Sequence, residues 1–155
     1  VSVRALDDVR VGDVLEQLEV RLTRADLVRY AGASLDMNPI HWSDRVARSA
    51  GLDGVIAHGM LTMALGARLV SDWCGDPGAV LEYGVVFTRP VPVPDDDEGV
   101  LVVLGGRVSA LDPVAATAVL ALTATTGGVK VLGKSTALVR LSSAAGSREL
   151  AHAPG

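Results

Sequence analysis

Cysteine is almost missing from this chain of 155 residues. A lone Cys74 excludes an internal disulfide framework and a cysteine-rich zinc site. Aromatic residues are nearly as scarce, with two Trp, two Tyr and one Phe. That is too few for the stacking platforms that hold single-stranded nucleic acid. Charge of one sign does not dominate either: 14 Lys and Arg stand against 18 Asp and Glu, a formal net charge of −4. This balance speaks against a general polyanion binder. No uninterrupted apolar run approaches the roughly 18 residues of a membrane span. The stretch Val1–Asp8 has no signal-like apolar centre. The expectation is a soluble, cytoplasmic protein with no nucleic-acid and no membrane partner.

What the chain has in quantity is apolar residues, 49% of the total, interspersed with 17 Gly and 7 Pro. That composition excludes disorder, and the glycines and prolines break any coiled coil. The length suits one domain with a core of its own, expected over residues 1–141, with 142–155 as a frayed tail.

Three blocks can be read. In the first, Val14–Val20 is a short strand candidate. Thr23 is an N-cap with Asp26 three residues on, ahead of the apolar stripe Leu27, Val28 and Tyr30. Ser43 caps a short helix over Asp44–Ala50 that Gly51 stops. Between the two helices, Pro39 keeps Asp36–His41 out of regular helix. The second block, about Gly59 to Trp73, is apolar almost all round and reads as a helix buried on most sides. The third is rich in Val, Thr and Leu, with strands expected at Tyr83–Val91, Val100–Leu111, Ala116–Thr126 and Val129–Leu141. Turn signals separate them, and Gly127-Gly128 predicts a tight hairpin. The fold class that follows is α+β, an antiparallel β-sheet wrapped around one long, mostly buried central helix. Such a sheet has open edges, and a second subunit would cover one of them.

One motif should be refused. Gly128-Val-Lys-Val-Leu-Gly133-Lys134-Ser135 has the letters of a P-loop. A phosphate cradle needs a helix directly after the loop, and Thr136–Leu141 reads as a strand instead. Asp95–Glu98 likewise reads as a solvated acidic turn rather than a cation site.

The residues able to do chemistry are Asp36, His41 and His58. On an ideal helix a spacing of five would set Asp36 and His41 about 140° apart. A loop frees both to converge as an acid/base pair. The packing alternative is a loop pinned by an Asx-type bond from Asp36 with His41 packed behind it. Ala57-His58-Gly59-Met60 opens the buried helix. Unpaired N–H groups in a first turn, beside a residue without a side chain, could receive a developing oxyanion. The bland alternatives are a tight turn at Gly59 and a hydrogen-bonded, packed His58. Asp36, His41 and His58 together could also be tried as three metal ligands, but their spacing matches no recognised set.

Asp36-Met-Asn38-Pro39-Ile40-His41 resembles the hydratase motif Asp-x-Asn-Pro-(Leu/Ile/Val)-His of the MaoC-like (R)-specific enoyl-thioester hydratases and dehydratases. Tyr30 upstream, Ala47 downstream and Ala57-His58-Gly59-Met60 fit the same pattern. Gly75–Val80, Phe87–Pro94 and Ala121–Gly128 are similar to the catalytic B-type subunit of actinobacterial (R)-3-hydroxyacyl-ACP dehydratases of type II fatty acid synthesis. The resemblance spans roughly residues 5–141. It implies a single hot-dog fold, Asp36 and His41 as catalytic dyad, and Gly59 as backbone donor to the thioester oxygen. It further implies that Asn38, His58 and Met60 bind substrate or orient the loop, with no cofactor and no metal. One position departs: the family usually has Gly before the Asp, and this chain has Leu35. If that Gly serves a positive φ, either a Leu there is strained by roughly 1–3 kcal/mol or the loop takes another course.

The resemblance implies a hydro-lyase acting reversibly on (R)-3-hydroxyacyl and trans-2-enoyl thioesters of ACP or CoA. A hot-dog thioesterase and a non-catalytic acyl-binding subunit are the alternatives. The expected partner is a second copy or a paralogous hot-dog subunit, which would help shape the acyl site.

Overall fold

The computed structural model describes residues 2–143. Its frame is an antiparallel sheet of β1 (Leu18–Leu22), β2 (Val80–Gly84), β3 (Val100–Asp112), β4 (Thr117–Thr126), β5 (Val129–Lys130) and β6 (Ser135–Arg140). The strand order is β1-β3-β4-β6-β2, with β5 paired to β4. Alternation sets the register. Ala118, Leu120 and Leu122 of β4 are buried, and they pair with Val139, Ala137 and Ser135 of β6, also buried. A slip of one residue would turn this whole row out to solvent. The hairpin predicted at Gly127-Gly128 is present, with φ of 53° and 76° and Thr126 facing Val129. Both angles lie in the left-handed region that a two-residue turn of this hand requires and that glycine enters without strain.

Among the described residues there are three α-helices: α1 (Arg24–Ser34), α2 (Asp44–Ser49) and α3 (Gly59–Cys74). The α1 start behaves as expected, with the Asp26 carboxylate accepting from the Thr23 N–H at 2.9 Å. Ser43 Oγ accepts from Val46 N–H at 3.4 Å to cap α2. α3 packs against β2, β3 and β6, burying Thr62, Gly66, Leu69, Val70 and Cys74. Of its sixteen residues only Gly59, Met60, Ala64, Arg68 and Asp72 are exposed, so the helix is covered except along one row. Gly66 matters for this contact: a Cβ there would collide with the Tyr83 hydroxyl, which donates to the Met63 carbonyl at 2.7 Å.

Three strands differ from expectation. The first runs over Leu18–Leu22, later than Val14–Val20, and Val14 makes only an isolated bridge to Arg107. Tyr83–Val91 is not one strand: β2 ends at Gly84, and beyond it Phe87 bridges only Leu132. Val129–Leu141 is split, because residues 131–134 leave the regular ladder. There Thr88 N–H donates to Val131 O at 3.1 Å and Gly133 N–H to Val86 O at 2.6 Å. Gly133 permits this approach, since a Cβ would stand 2.7 Å from Thr88 Cγ2. A strand, not a helix, follows Ser135, so the P-loop letters carry no phosphate cradle. Ser142 exchanges hydrogen bonds with Arg4 and Leu6, and the remainder of the expected tail, from residue 144, lies outside the described residues.

Candidate active site

The site is built on a platform that one ion pair helps to fix. Arg24, from the first turn of α1, donates to both Asp44 carboxylate oxygens at 3.0 and 3.2 Å and to the Val93 carbonyl at 2.6 Å. Asp44 also accepts from the Val55 N–H at 3.0 Å. That bond, with the Arg24 guanidinium, holds its carboxyl below the usual carboxylate range. Residues 55–57 are thereby laced to the segment after β2: Ala57 N–H donates to Val91 O at 2.8 Å and Val93 N–H to Val55 O at 3.0 Å. Ile56 then faces the turn Pro39–His41, donating to Ile40 O at 3.3 Å.

Onto this platform the sequence delivers two loops. The first leaves α1 through Leu35, whose φ of 61° and ψ of 16° are left-handed. The chain therefore takes a conformation that favours glycine, and Leu35 carries the strain. Asp36 follows, exposed, with Oδ1 accepting from Asn38 N–H at 3.2 Å. Asn38 in turn accepts from Ile40 N–H at 3.3 Å and caps the 3-10 turn that Pro39 opens. The Asx-type pinning foreseen as the packing alternative is thus real, and it coexists with convergence on His41.

His41 is 7% exposed, and its Nδ1 lies 2.8 Å from the Ile56 carbonyl oxygen. A carbonyl can only accept, so Nδ1 carries the hydrogen, and in the neutral ring it is Nε2 that holds the lone pair. His58, the last residue before α3, is 1% exposed. By the same argument its Nε2, 3.1 Å from the Asp36 carbonyl oxygen, is the protonated nitrogen. Its Nδ1 is buried without a partner among the described residues. The two imidazoles stack at 3.8 Å with planes 23° apart, and Tyr30 leans on His58 at 4.9 Å. Burial lowers the proton affinity of His58, and the Asp36 carbonyl only partly offsets it.

A cavity of about 400 Å³ opens on His41 and Gly59, with Thr62, Phe87, Arg89, Val91 and Leu132 among its walls. Gly59 has no left-handed φ; its missing side chain instead leaves the cavity open, with the Phe87 ring 3.4 Å from where a Cβ would sit. The N–H groups of Gly59 and Met60 meet no acceptor among the described residues. Met60 itself turns outward, 55% exposed, and is not part of the cavity wall. The structure therefore brings Asp36, His41, His58 and Gly59 together, uses Asn38 to shape the loop, and sets Met60 apart. Sequence reasoning missed the Phe87–Val91 wall because its Val and Pro content resembled a strand.

Donor atoms of Asp36, His41 and His58 lie within 4.8 Å of one another. They fit a metal poorly. His58 Nε2 is committed to the Asp36 carbonyl, and two face-to-face rings cannot easily aim their in-plane lone pairs at one ion. A neutral imidazole with a free Nε2, a nearby carboxylate and unpaired backbone donors suits proton transfer beside a developing oxyanion.

The MaoC like domain family matches residues 8–126, and the chain belongs to it. It is 35% identical over 101 residues to the mitochondrial 3-hydroxyacyl-[acyl-carrier-protein] dehydratase of Arabidopsis thaliana, covering 64% of this chain and 59% of that protein. A solved MaoC-like dehydratase superposes with a TM-score of 0.88 at 48% identity, over 91% of this chain but only 43% of the other. The (R)-hydratase from A. caviae superposes with a TM-score of 0.76 at 28% identity, over 87% of this chain and 98% of the other. The fold is the hot-dog fold expected. The chain spans less than two thirds of the length of the first two of these relatives.

Proposed function

We propose that this chain is a hydro-lyase that adds water to trans-2-enoyl thioesters, and removes it from (R)-3-hydroxyacyl thioesters, of ACP or CoA. The observation that carries the reading is that His41 and the unpaired Gly59 N–H open on one cavity while the Asp36 carboxylate lies beside the His41 and His58 rings, donor atoms of the three within 4.8 Å of one another. In hydration the Asp36–His41 pair takes one proton from water as its oxygen bonds to the β-carbon. The electron pair of the double bond moves toward the thioester oxygen, which the Gly59 N–H and the α3 N-terminus receive. The pair then returns one proton to the α-carbon and ends as it began; dehydration reverses each step. His41, with its hydrogen fixed on Nδ1, is the base.

Arg89 supports a phosphate-bearing thioester. Among the described residues it is the one Lys or Arg in the cavity wall, and its guanidinium has no ion-pair or hydrogen-bond partner there. On an acidic chain such a cation is where a pantetheine phosphate would settle. Hydrolysis of the thioester is the weaker reading. The α3 helix carries one carboxylate, Asp72, which is exposed and paired with Arg68 at 3.5 Å. A merely acyl-binding subunit would not need the acid/base pair.

The edges β1 and β2 each lack a neighbour on one side among the described strands. A second copy or a paralogous hot-dog unit is the proposed partner. The solved relative of which this chain covers 43% has length enough for a second unit of this size. The proposed setting is the cytoplasm and the route type II fatty acid synthesis, as the B-type catalytic subunit. Incubation of the purified chain with crotonyl-CoA, with and without candidate partner subunits, tests the chemistry. Loss of the enoyl absorbance with formation of (R)-3-hydroxybutyryl-CoA is expected; release of free CoA would replace the reading with a thioesterase.

A further inference from the structure

Resting on the hydro-lyase reading, we propose that His58 is a positioning residue that holds both members of the Asp36–His41 pair in one register. It does so by donating to the Asp36 carbonyl and by stacking face to face on the His41 ring.

The Asp36 loop has little else to hold it. Leu35, Asp36, Met37 and Asn38 are all exposed, so apolar burial does not anchor them. Their other hydrogen bonds are local, reaching at most five residues, as in Trp42 Nε1–H to Met37 O at 3.1 Å. The bond from His58 Nε2 to Asp36 O, across 22 residues, is the one long-range hydrogen bond to this loop among the described residues. It fastens the loop to the residue directly before Gly59, so the base, the acid and the backbone donors share one attachment point.

The same side chain fixes His41 from its face, 3.8 Å away, while Ile56 fixes it from its edge. A residue selected for packing alone would be apolar, because His58 leaves Nδ1 buried with no partner. The retained nitrogen is the opposite one, which bonds Asp36. Burial keeps the ring neutral, so it can lie against His41 without repelling a proton held there. A loop displaced by about 1 Å can cost on the order of 100-fold in rate, which is the scale such an anchor controls.

Two substitutions separate the two contacts. His58→Phe keeps a ring and loses the donor; His58→Gln keeps a donor near Nε2 and loses the ring. Both are assayed in the full chain, with any partner required, on an enoyl thioester the wild type turns over, beside Asp36→Asn and His41→Ala. His58→Phe is expected to lower kcat about 10- to 100-fold with KM within about threefold, and His58→Gln to recover at least about fivefold of that loss. Wild-type kcat in His58→Phe, equal losses in both variants, or a change confined to KM would overturn the role. Should either variant not fold, nitrogen NMR of the wild type decides instead. A neutral His58 with its hydrogen on Nε2 is expected, and a hydrogen on Nδ1 overturns the proposal. Full turnover in Asp36→Asn and His41→Ala would instead bring down the hydro-lyase reading itself.

Discussion

The Nδ1 atom of His41 lies 2.8 Å from the carbonyl oxygen of Ile56, and that one contact sets the tautomer of the base. Ile56 is in turn held by Ile40 and by neighbours bonded to Val91 and Val93. The base is therefore oriented by backbone, not by a carboxylate. Asp36 is left free to act on substrate. Asp36→Asn and His41→Ala should each still fold, His41→Ala with a lowered urea midpoint because it deletes a buried, hydrogen-bonded ring, and each should lose at least ~100-fold in turnover, the usual scale for an acid–base group. Steady-state rates beside circular dichroism check this; near-normal turnover in either variant removes that residue from the mechanism.

Gly59 separates two reasons for a glycine. Its φ is not left-handed, and an added Cβ meets only the Phe87 ring at 3.4 Å, so Gly59→Ala should fold. The methyl group would stand where a thioester oxygen must approach the N–H, and a lost oxyanion donor costs on the order of 100-fold or more in kcat. An unchanged urea midpoint with a sharply reduced kcat is the expected result. A fully active alanine variant would show that the α3 N-terminus does not receive the oxyanion.

Leu35 is 79% exposed and left-handed, so its side chain contributes little packing and its backbone is strained. An L-residue in that region costs roughly 1–2 kcal/mol, and glycine gives back about 0.5–1 of it through a freer unfolded chain. Leu35→Gly should therefore stabilise the protein by about 0.5–1 kcal/mol. A urea titration reads this directly. A lower midpoint would mean that Leu35 is covered in the functional assembly, by a partner or by substrate.

Much of this was legible in the sequence. Capping at Thr23 and Ser43, the Gly127-Gly128 turn and the covered α3 stripe are local signals, and each appeared where it was expected. At residue 35 the sequence left two courses open, a strained left-handed Leu or a different path of the loop, and the backbone takes the first. The cavity wall was not legible. Phe87, Arg89 and Leu132 meet because Val131 and Gly133 bond the segment after β2, Val131 while still donating to Ala124 of β4, and no periodicity encodes that arrangement. The tautomers of His41 and His58 depend on carbonyls 15 and 22 residues away, which spacing alone cannot supply.

Arg89 is the one cation in the wall among the described residues, and in the proposed function its charge serves the phosphate of the carrier, not the chemistry. Arg89→Ala should raise KM for an enoyl-CoA by about tenfold, the scale of one exposed charge-assisted contact, while kcat holds. The same acyl group on N-acetylcysteamine, which has no phosphate, should be handled equally by wild type and variant. Equal losses on both substrates would assign Arg89 to the shape of the wall rather than to phosphate.

Cys74 closes α3 in the core with no exposed surface, and burial pushes its thiol from 9.0 up to about 11. Arg4 lowers and Asp76 raises that value by lesser amounts. A raised value means that the folded state prefers the neutral thiol, whereas the unfolded chain ionises near its ordinary value. The stabilisation is thus complete below about pH 9 and is lost as pH rises through about 11. The loss should be on the order of 2 kcal/mol by the end of that window. Tyr83, pushed up to about 12 by burial, adds a second alkaline slope that a Cys74 variant keeps. Urea midpoints between pH 8 and 11 should therefore fall less steeply for Cys74→Ala than for the wild type. Parallel slopes would show that the thiol reaches solvent before the core opens, through motion of the α3 C-terminus against Arg4.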